Sequence, residues 1–235
     1  MKQLQKKAAV RGKIGSAGAT LRRPRSRQSL RDAAYEAIKH RIITCKFKPG
    51  EVINETSVSQ LLGYGRTPVH QALDRLMLEE MVEVIPRKGV IVKPVILHDV
   101  MQMIDVRMIN EPQCARLAAE RADDTHIEAL TAVLARARQA IAGCDVHAMM
   151  MLDREFHLQL GAATKNLALA EVLRKLNERS LRFWFISFNT PDHHRSFQEQ
   201  HEAIFAAVRD RDPEGAESAM RSHIEAFRRS VARHL

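Results

Sequence analysis

Aromatic residues supply only 5% of this chain, with a single Trp and two Tyr. Sheet-rich domains lean on aromatic and β-branched residues, so this scarcity, beside plentiful Ala, Leu and Met, favours helix over sheet. Cysteine is also scarce: Cys45, Cys114 and Cys144 are odd in number and widely spaced. That excludes a disulfide framework and leads us to expect buried, reduced thiols of a cytoplasmic protein. No run of about 18 apolar residues occurs, so no helix should span a membrane. The N-terminus is basic but has no apolar stretch behind it, which argues against a secretory signal. Catalytic signatures are missing too. There is no nucleophile elbow, P-loop or dinucleotide fingerprint. Phe205 stands where a zinc-protease helix opening on His201-Glu202 would need its second histidine.

Acidic residues are absent from positions 1–31, which carry ten Lys or Arg. Formal charge is +10 there, +1 over 32–95 and −2 over 96–235, for a total of +9. The basic character therefore belongs to a tail. Residues 1–28, rich in Gly, Ser, Lys and Arg, are expected to be a disordered basic tail. Such an arm is either simply solvated or adds non-specific phosphate contacts. The remaining length suits one large or two modest domains.

The stretch that organises the chain is Glu55 to Leu78, "ETSVSQLLGYGRTPVHQALDRLML". It reads as two short helices around a glycine-marked turn, with Asn54 capping the first, whose apolar contribution is Val58, Leu61 and Leu62. In the second helix Val69, Ala72, Leu73 and Leu76 form one apolar stripe. Thr67 can cap that helix and Pro68 fits its first position. The opposite face offers Arg66, Thr67, His70, Gln71 and Asp74. A helix apolar on one side and hydrogen-bonding at its exposed N-terminal end suits the DNA major groove. Ahead of it, a helix is expected from about Leu30 to Thr44. After it, "VEVIP" and "VIVKP" read as strands joined through Arg87, Lys88 and Gly89, with glycine at the hairpin tip. Following a helix-turn-helix, that hairpin is expected to be a wing whose basic tip lies along DNA phosphates or in the minor groove.

From Leu97 onward the pattern is helix after helix, with spans near 97–121, 124–143, 145–163, 167–189, 193–210 and 213–233. The expected organisation is thus a tail over 1–28, a winged helix-turn-helix over 29–94 and an all-α bundle of about six helices over 95–235, a mainly α fold. Asp153 and His157 lie four apart on one helix, which places a carboxylate and an imidazole on the same face. His201 and His223 sit inside apolar helical patterns and should look into the bundle. One Asp and three His could hold a divalent metal such as Zn, Ni or Mn, or each His could simply be a hydrogen-bonded core residue. Asp192-His193-His194 reads as exposed polar residues, and Asn166 as a helix cap.

The run "GYGRTPVHQALDRLMLEEMVEVIPRKGVIV" resembles the winged helix-turn-helix of the GntR family of bacterial regulators. The family usually has Arg-Glu after the Val, where this chain has His70 and Gln71, so the operator sequence does not carry over. "MIDVRMINEPQCARLAAERA", "LDREFHLQLGAATKN" and "QHEAIFAAVRDRDPEGAESAMRSHI" resemble, in order and spacing, the FCD-type effector domain of the FadR-like subfamily. The resemblance implies a metal held by Asp153, His157, His201 and His223. It also implies that Arg107 meets an effector carboxylate, although Arg107 could instead pair with Asp105 or Glu111. A homodimeric repressor of a palindromic operator, relieved by a small organic acid, is what the family resemblance suggests. Two alternatives stay open: a regulator that senses the metal itself, and a metalloenzyme fused to a DNA anchor.

Overall fold

Each helix start in the N-terminal part has an identifiable cap. In the computed structural model, which describes residues 29–187 and 191–232, Ser29 accepts a hydrogen bond from the Asp32 N–H (3.1 Å) and opens α1, Leu30–Ile43. Pro49-Gly50 then turns the chain, with Gly50 at φ 81°, into a two-residue strand β1, Val52–Ile53. Asn54 accepts from the Thr56 N–H (2.8 Å) and starts α2, Glu55–Leu62, which ends on Gly63 in the left-handed region. The following α3 runs Arg66–Leu78 with Gly65 as its N-cap and no side-chain cap. Thr67 is therefore inside the first turn rather than capping it. Pro68 still fits there, because first-turn N–H groups have no helical partner. The expected tail over 1–28 and the side chains of Asp192, His193 and His194 lie outside what is described.

Strands β2, Val82–Ile85, and β3, Gly89–Val92, form the expected hairpin, and β1 adds to it in the antiparallel order β1-β3-β2. Gly89 does not occupy the tip. It pairs with Ile85, and the turn is Pro86-Arg87-Lys88, with the Lys88 N–H donating to the Ile85 carbonyl (3.0 Å). Arg87 itself takes φ 64°, a region that costs a residue with a Cβ roughly 1 kcal/mol.

The remaining helices are α4 (Leu97–Arg121), α5 (Asp124–Ala142), α6 (Val146–Ala163), α7 (Leu167–Ser187), α8 (Pro191–Arg209) and α9 (Pro213–Ala232). Pro112 sits inside α4 without ending it. Asn166 accepts from the Leu169 N–H (3.2 Å), the expected cap for α7. No described helix is long and apolar enough to cross a membrane.

Buried apolar side chains fall into two clusters. One gathers α1, α2, α3 and the sheet around Ile38, Val69, Leu73 and Leu76, and the other fills the α4–α9 bundle around Ile104, Leu130, Phe156 and Phe227. Met150 of α6 and Leu181 of α7 join the first cluster, so the bundle packs directly on the N-terminal head. Leu61 (56% exposed) stays outside either core, against expectation, and Leu30 (68%) lies outside as well. Of the thiols only Cys114 is fully buried; Cys45 is half-buried and Cys144 is exposed. Cys144 lies in the α5–α6 turn at positive φ, where the chain surfaces.

A buried ionic cluster links head to bundle. Lys39 of α1 (1% exposed) and Glu178 of α7 (0%) form an ion pair, and the Lys39 Nζ is also 2.8 Å from Glu79 Oε2 just past α3. The Tyr35 hydroxyl donates to Glu79 (2.7 Å), and Arg174 reaches both Glu178 (2.7 Å) and Glu79 (3.3 Å). Arg154 of α6 closes the group on Glu178. Burial alone would raise the Glu79 carboxyl, but hydrogen bonds from Lys39 and Tyr35 outweigh it and hold the group below its ordinary value of 4.5. A lowered folded value means the stabilisation is complete above about 4.5 and is lost as pH falls through the folded value. Glu79→Gln should therefore lose less stability than wild type between neutral pH and pH about 3, read from urea midpoints. An equal loss in both chains would remove Glu79 from the acid response.

Candidate functional site

Four helices deliver the polar groups at the bundle centre. α6 carries Asp153 and His157, α8 carries His201, α9 carries His223, and α4 carries Arg107 and Glu111. Each histidine replaces one apolar residue of an inward stripe, which is why all three are buried, at 7%, 3% and 3% exposed. One ligand nitrogen of each lies within 4.8 Å of the others. Tetrahedral ligands of a zinc-sized ion at 2.0–2.1 Å bonds stand about 3.4 Å apart, so a separation near 4.8 Å has to shorten by about 1.4 Å on binding. Asp153 is not part of that mutually close set; its Oδ1 approaches His201 Nε2 alone, at 3.5 Å.

The surroundings of the imidazoles suit metal ligands. His223 Nδ1 is 2.9 Å from Gln200 Oε1, and His157 Nδ1 is 3.5 Å from Glu111 Oε2. A proton shared with those oxygens leaves each Nε2 with a free lone pair. Phe156 stacks on the His201 ring (4.3 Å between centroids) and fixes its plane. His201 Nε2 is buried and has no hydrogen-bond partner, an unmet valence in the middle of the site. Desolvation pushes all three imidazoles below their ordinary value, His201 to about 3, so each is neutral near pH 7. Desolvation also raises the Asp153 carboxyl, to about 7, with the Arg107 guanidinium opposing the rise. About a third of the Asp153 side chain (32%) remains open, so water screens part of that penalty.

Arg107 is 4% exposed and pairs with Glu111, Nε to Oε1 at 2.6 Å and Nη2 to Oε2 at 3.3 Å. Asp105 instead meets Arg228 (3.4 Å). Two further groups went unread in the sequence. Asn177 Oδ1 and Ser180 Oγ of α7 are buried without partners and line a cavity with Arg107, Asp153, His157 and His223. The only sequence signal was a polar residue at Asn177 and at Ser180 on the apolar side of α7. The cavities that meet at Asp153 measure about 10 to 30 Å³ each, enough for a water or an ion.

On the head, Arg66, Thr67, His70 and Gln71 are exposed along the first turns of α3, and Arg87, Lys88 and Gly89 are exposed at the hairpin end. His70 is already engaged: its Nδ1 is 2.9 Å from Glu55 Oε1 and its Nε2 is 3.6 Å from Asp74 Oδ2. The hydrogen bond to Glu55, then the Asp74 charge, raises its pKa and favours the imidazolium.

Comparison with known proteins agrees with this two-part layout. The profile of bacterial regulatory proteins of the gntR family matches residues 30–92, and that of the FCD domain matches residues 102–226. The Nta operon transcriptional regulator of Aminobacter aminovorans is 28% identical over 183 residues, covering 78% of this chain and 85% of its own. The transcriptional repressor RspR of Escherichia coli K12 is 26% identical over 205 residues, covering 87% and 90%. Among solved structures, E. coli McbR/YncC superimposes with a TM-score of 0.79 at 22% identity, covering 88% of this chain and 98% of that one, and so shares the fold. A putative GntR regulator from Rhodococcus sp. RHA1 gives 0.73 at 18% identity, with 86% and 97% covered. The matched families and these named relatives are transcription regulators, not enzymes. The chain therefore belongs to the GntR family of DNA-binding transcription regulators, in the branch that carries an FCD domain.

Proposed function

We propose that this regulator changes its grip on a palindromic operator when a small organic acid binds beside a divalent metal in the helical bundle. The reading divides the chain into a basic tail (1–28), a DNA-binding head (29–94) and a metal- and effector-binding bundle (95–235). The carrying observation is the buried histidine triad with His201 Nε2 unpartnered at its centre. His157, His201 and His223 would hold the metal, with Asp153 as fourth ligand, and neutral imidazoles suit Zn, Ni or Mn. Such an ion supplies open coordination positions for a carboxylate. Arg107, Asn177 and Ser180 then offer hydrogen bonds to the rest of the acid.

The pocket is too small for such an acid as it stands, so binding requires the walls to part. One wall is α7, where Asn177 and Ser180 flank Glu178, the residue that grips Lys39 and Arg174. Displacing α7 would thereby disturb the seat of the head. A tenfold change in operator affinity needs only about 1.4 kcal/mol of differential binding. Repression relieved by the acid is the arrangement we favour, in a homodimer that sets two α3 helices about 34 Å apart. Exposed Val106 (41%) and Ile109 (74%) give α4 an apolar patch for a second copy. Arg66, Thr67, His70 and Gln71 would read the major groove, and Arg87, Lys88 and Gly89 would follow the backbone.

Arg66→Ala should cost about 1–3 kcal/mol of operator binding and relax one base preference, measured on a set of single-base operator variants. Equal weakening on every variant would instead make Arg66 a phosphate contact. The existing Arg107–Glu111 pair favours a second reading, a direct metal sensor, because it leaves the guanidinium already satisfied. Titrating metal first, then sugar acids, keto acids and dicarboxylates, against operator binding separates the two. A response to acid only with metal present supports our reading. A full response to metal alone supports the sensor, and no response to either refutes both.

A further inference from the structure

A further cavity lies away from the histidines, where the linker passes between the head and α7. It measures about 440 Å³, within the usual range of small-molecule sites, whereas the cavities around Asp153 are water-sized. Its floor is Arg182 of α7, only 3% exposed. The Arg182 Nη2 donates to the Lys93 carbonyl, while its Nε is buried with no partner. The neighbouring Arg179 guanidinium adds like charge, and among the described residues no carboxylate forms an ion pair with Arg182. Burial accordingly pulls the guanidinium down to about 10. A buried cation without a counter-ion is costly, and Arg182 lines a space large enough to hold one.

The rest of the lining sets the character of a ligand. Val95, Val100, Met103 and Leu176 make an apolar wall, Lys93 adds a second cation, and Asp99 adds one carboxylate. At the rim Arg179 Nη1 is 2.7 Å from Glu80 Oε2, so that cation is already matched by the head. We propose that this junction is a second ligand site, separate from the histidine centre, for a monocarboxylate with a compact apolar body. The carboxylate would meet the Arg182 guanidinium in the cavity floor, and the body would cover the apolar wall. Nothing in this proposal depends on the metal.

Calorimetry on the full chain with phenylbutyrate, and with phenylbutanol as its uncharged counterpart, tests it. The expected result is saturable binding of one phenylbutyrate per chain, with the alcohol at least about tenfold weaker. Arg182→Met should lose about tenfold or more, and His157→Ala should bind as wild type within about twofold. Should Arg182→Met fail to fold, Gln102→Trp decides, because residue 102 is an exposed part of the lining and a Trp there fills the cavity mouth. No binding by wild type, equal binding of acid and alcohol, or full binding by Gln102→Trp would overturn the proposal. So would loss in His157→Ala with retention in Arg182→Met, which would move the ligand to the histidine centre.

Discussion

Glu178→Ala is expected to destabilise the folded chain by about 3–5 kcal/mol, the usual result of removing one partner from a buried ion pair. Glu178 is 0% exposed and faces Lys39, Arg174 and Arg154, so its loss removes a counter-charge from Lys39, which water cannot reach. Lys39 keeps Glu79 (2.8 Å), which Arg174 also reaches (3.3 Å) while holding Glu171 (2.8 Å). Because Lys39 belongs to the head and Glu178 to the bundle, denaturation should also change in form. Wild type should unfold in one transition, and Glu178→Ala in two, with the head melting first. Replacing both partners by apolar residues, Lys39→Met with Glu178→Leu, should recover most of the loss. A cost below about 1 kcal/mol for Glu178→Ala would mean that water reaches this cluster and that it does not fasten the head.

Adding a divalent metal is expected to stabilise the chain by about 4 kcal/mol when the ion stands a thousandfold above its dissociation constant. The physical basis is the unmet His201 Nε2 among neutral, buried imidazoles, which a cation satisfies without displacing protons from charged imidazoles near pH 7. Urea midpoints with zinc or manganese, against a chelator, measure the gain. His157→Ala should abolish it while leaving the head folded. A gain of the same size in that variant would place the metal elsewhere.

Much of the layout was legible because the bundle helices are long, amphipathic and separated by strong breakers. The expected 97–121 coincides with α4, and Asp123, Asp145 and Pro213 mark the following starts. The three histidines were visible because each interrupts an apolar stripe, and an interruption points inward. What escaped depends on contacts between residues distant in sequence. Lys39 lies on the buried face of α1, yet its carboxylates come from α7 and the end of α3. Whether Arg107 would meet Asp105 or Glu111 is decided by helix phase, since only the residue four along stays on the same face. The N-cap lies two residues before Thr67, since glycine at 65 can cap a helix through backbone geometry alone. Strand β1 is two residues long and exists only because β3 offers it an edge. At Asn177, Ser180 and Arg182 the importance of each lies in a hydrogen bond left unmade, which no spacing in the sequence announces.

Anomalous diffraction from crystals of the full chain soaked in zinc or manganese tests the central claim most directly. The account predicts one strong peak per chain, about 2.0–2.2 Å from a nitrogen of each of His157, His201 and His223 and from an Asp153 oxygen. A peak bound by other residues, or an empty triad in a crystal that holds the metal elsewhere, would contradict it.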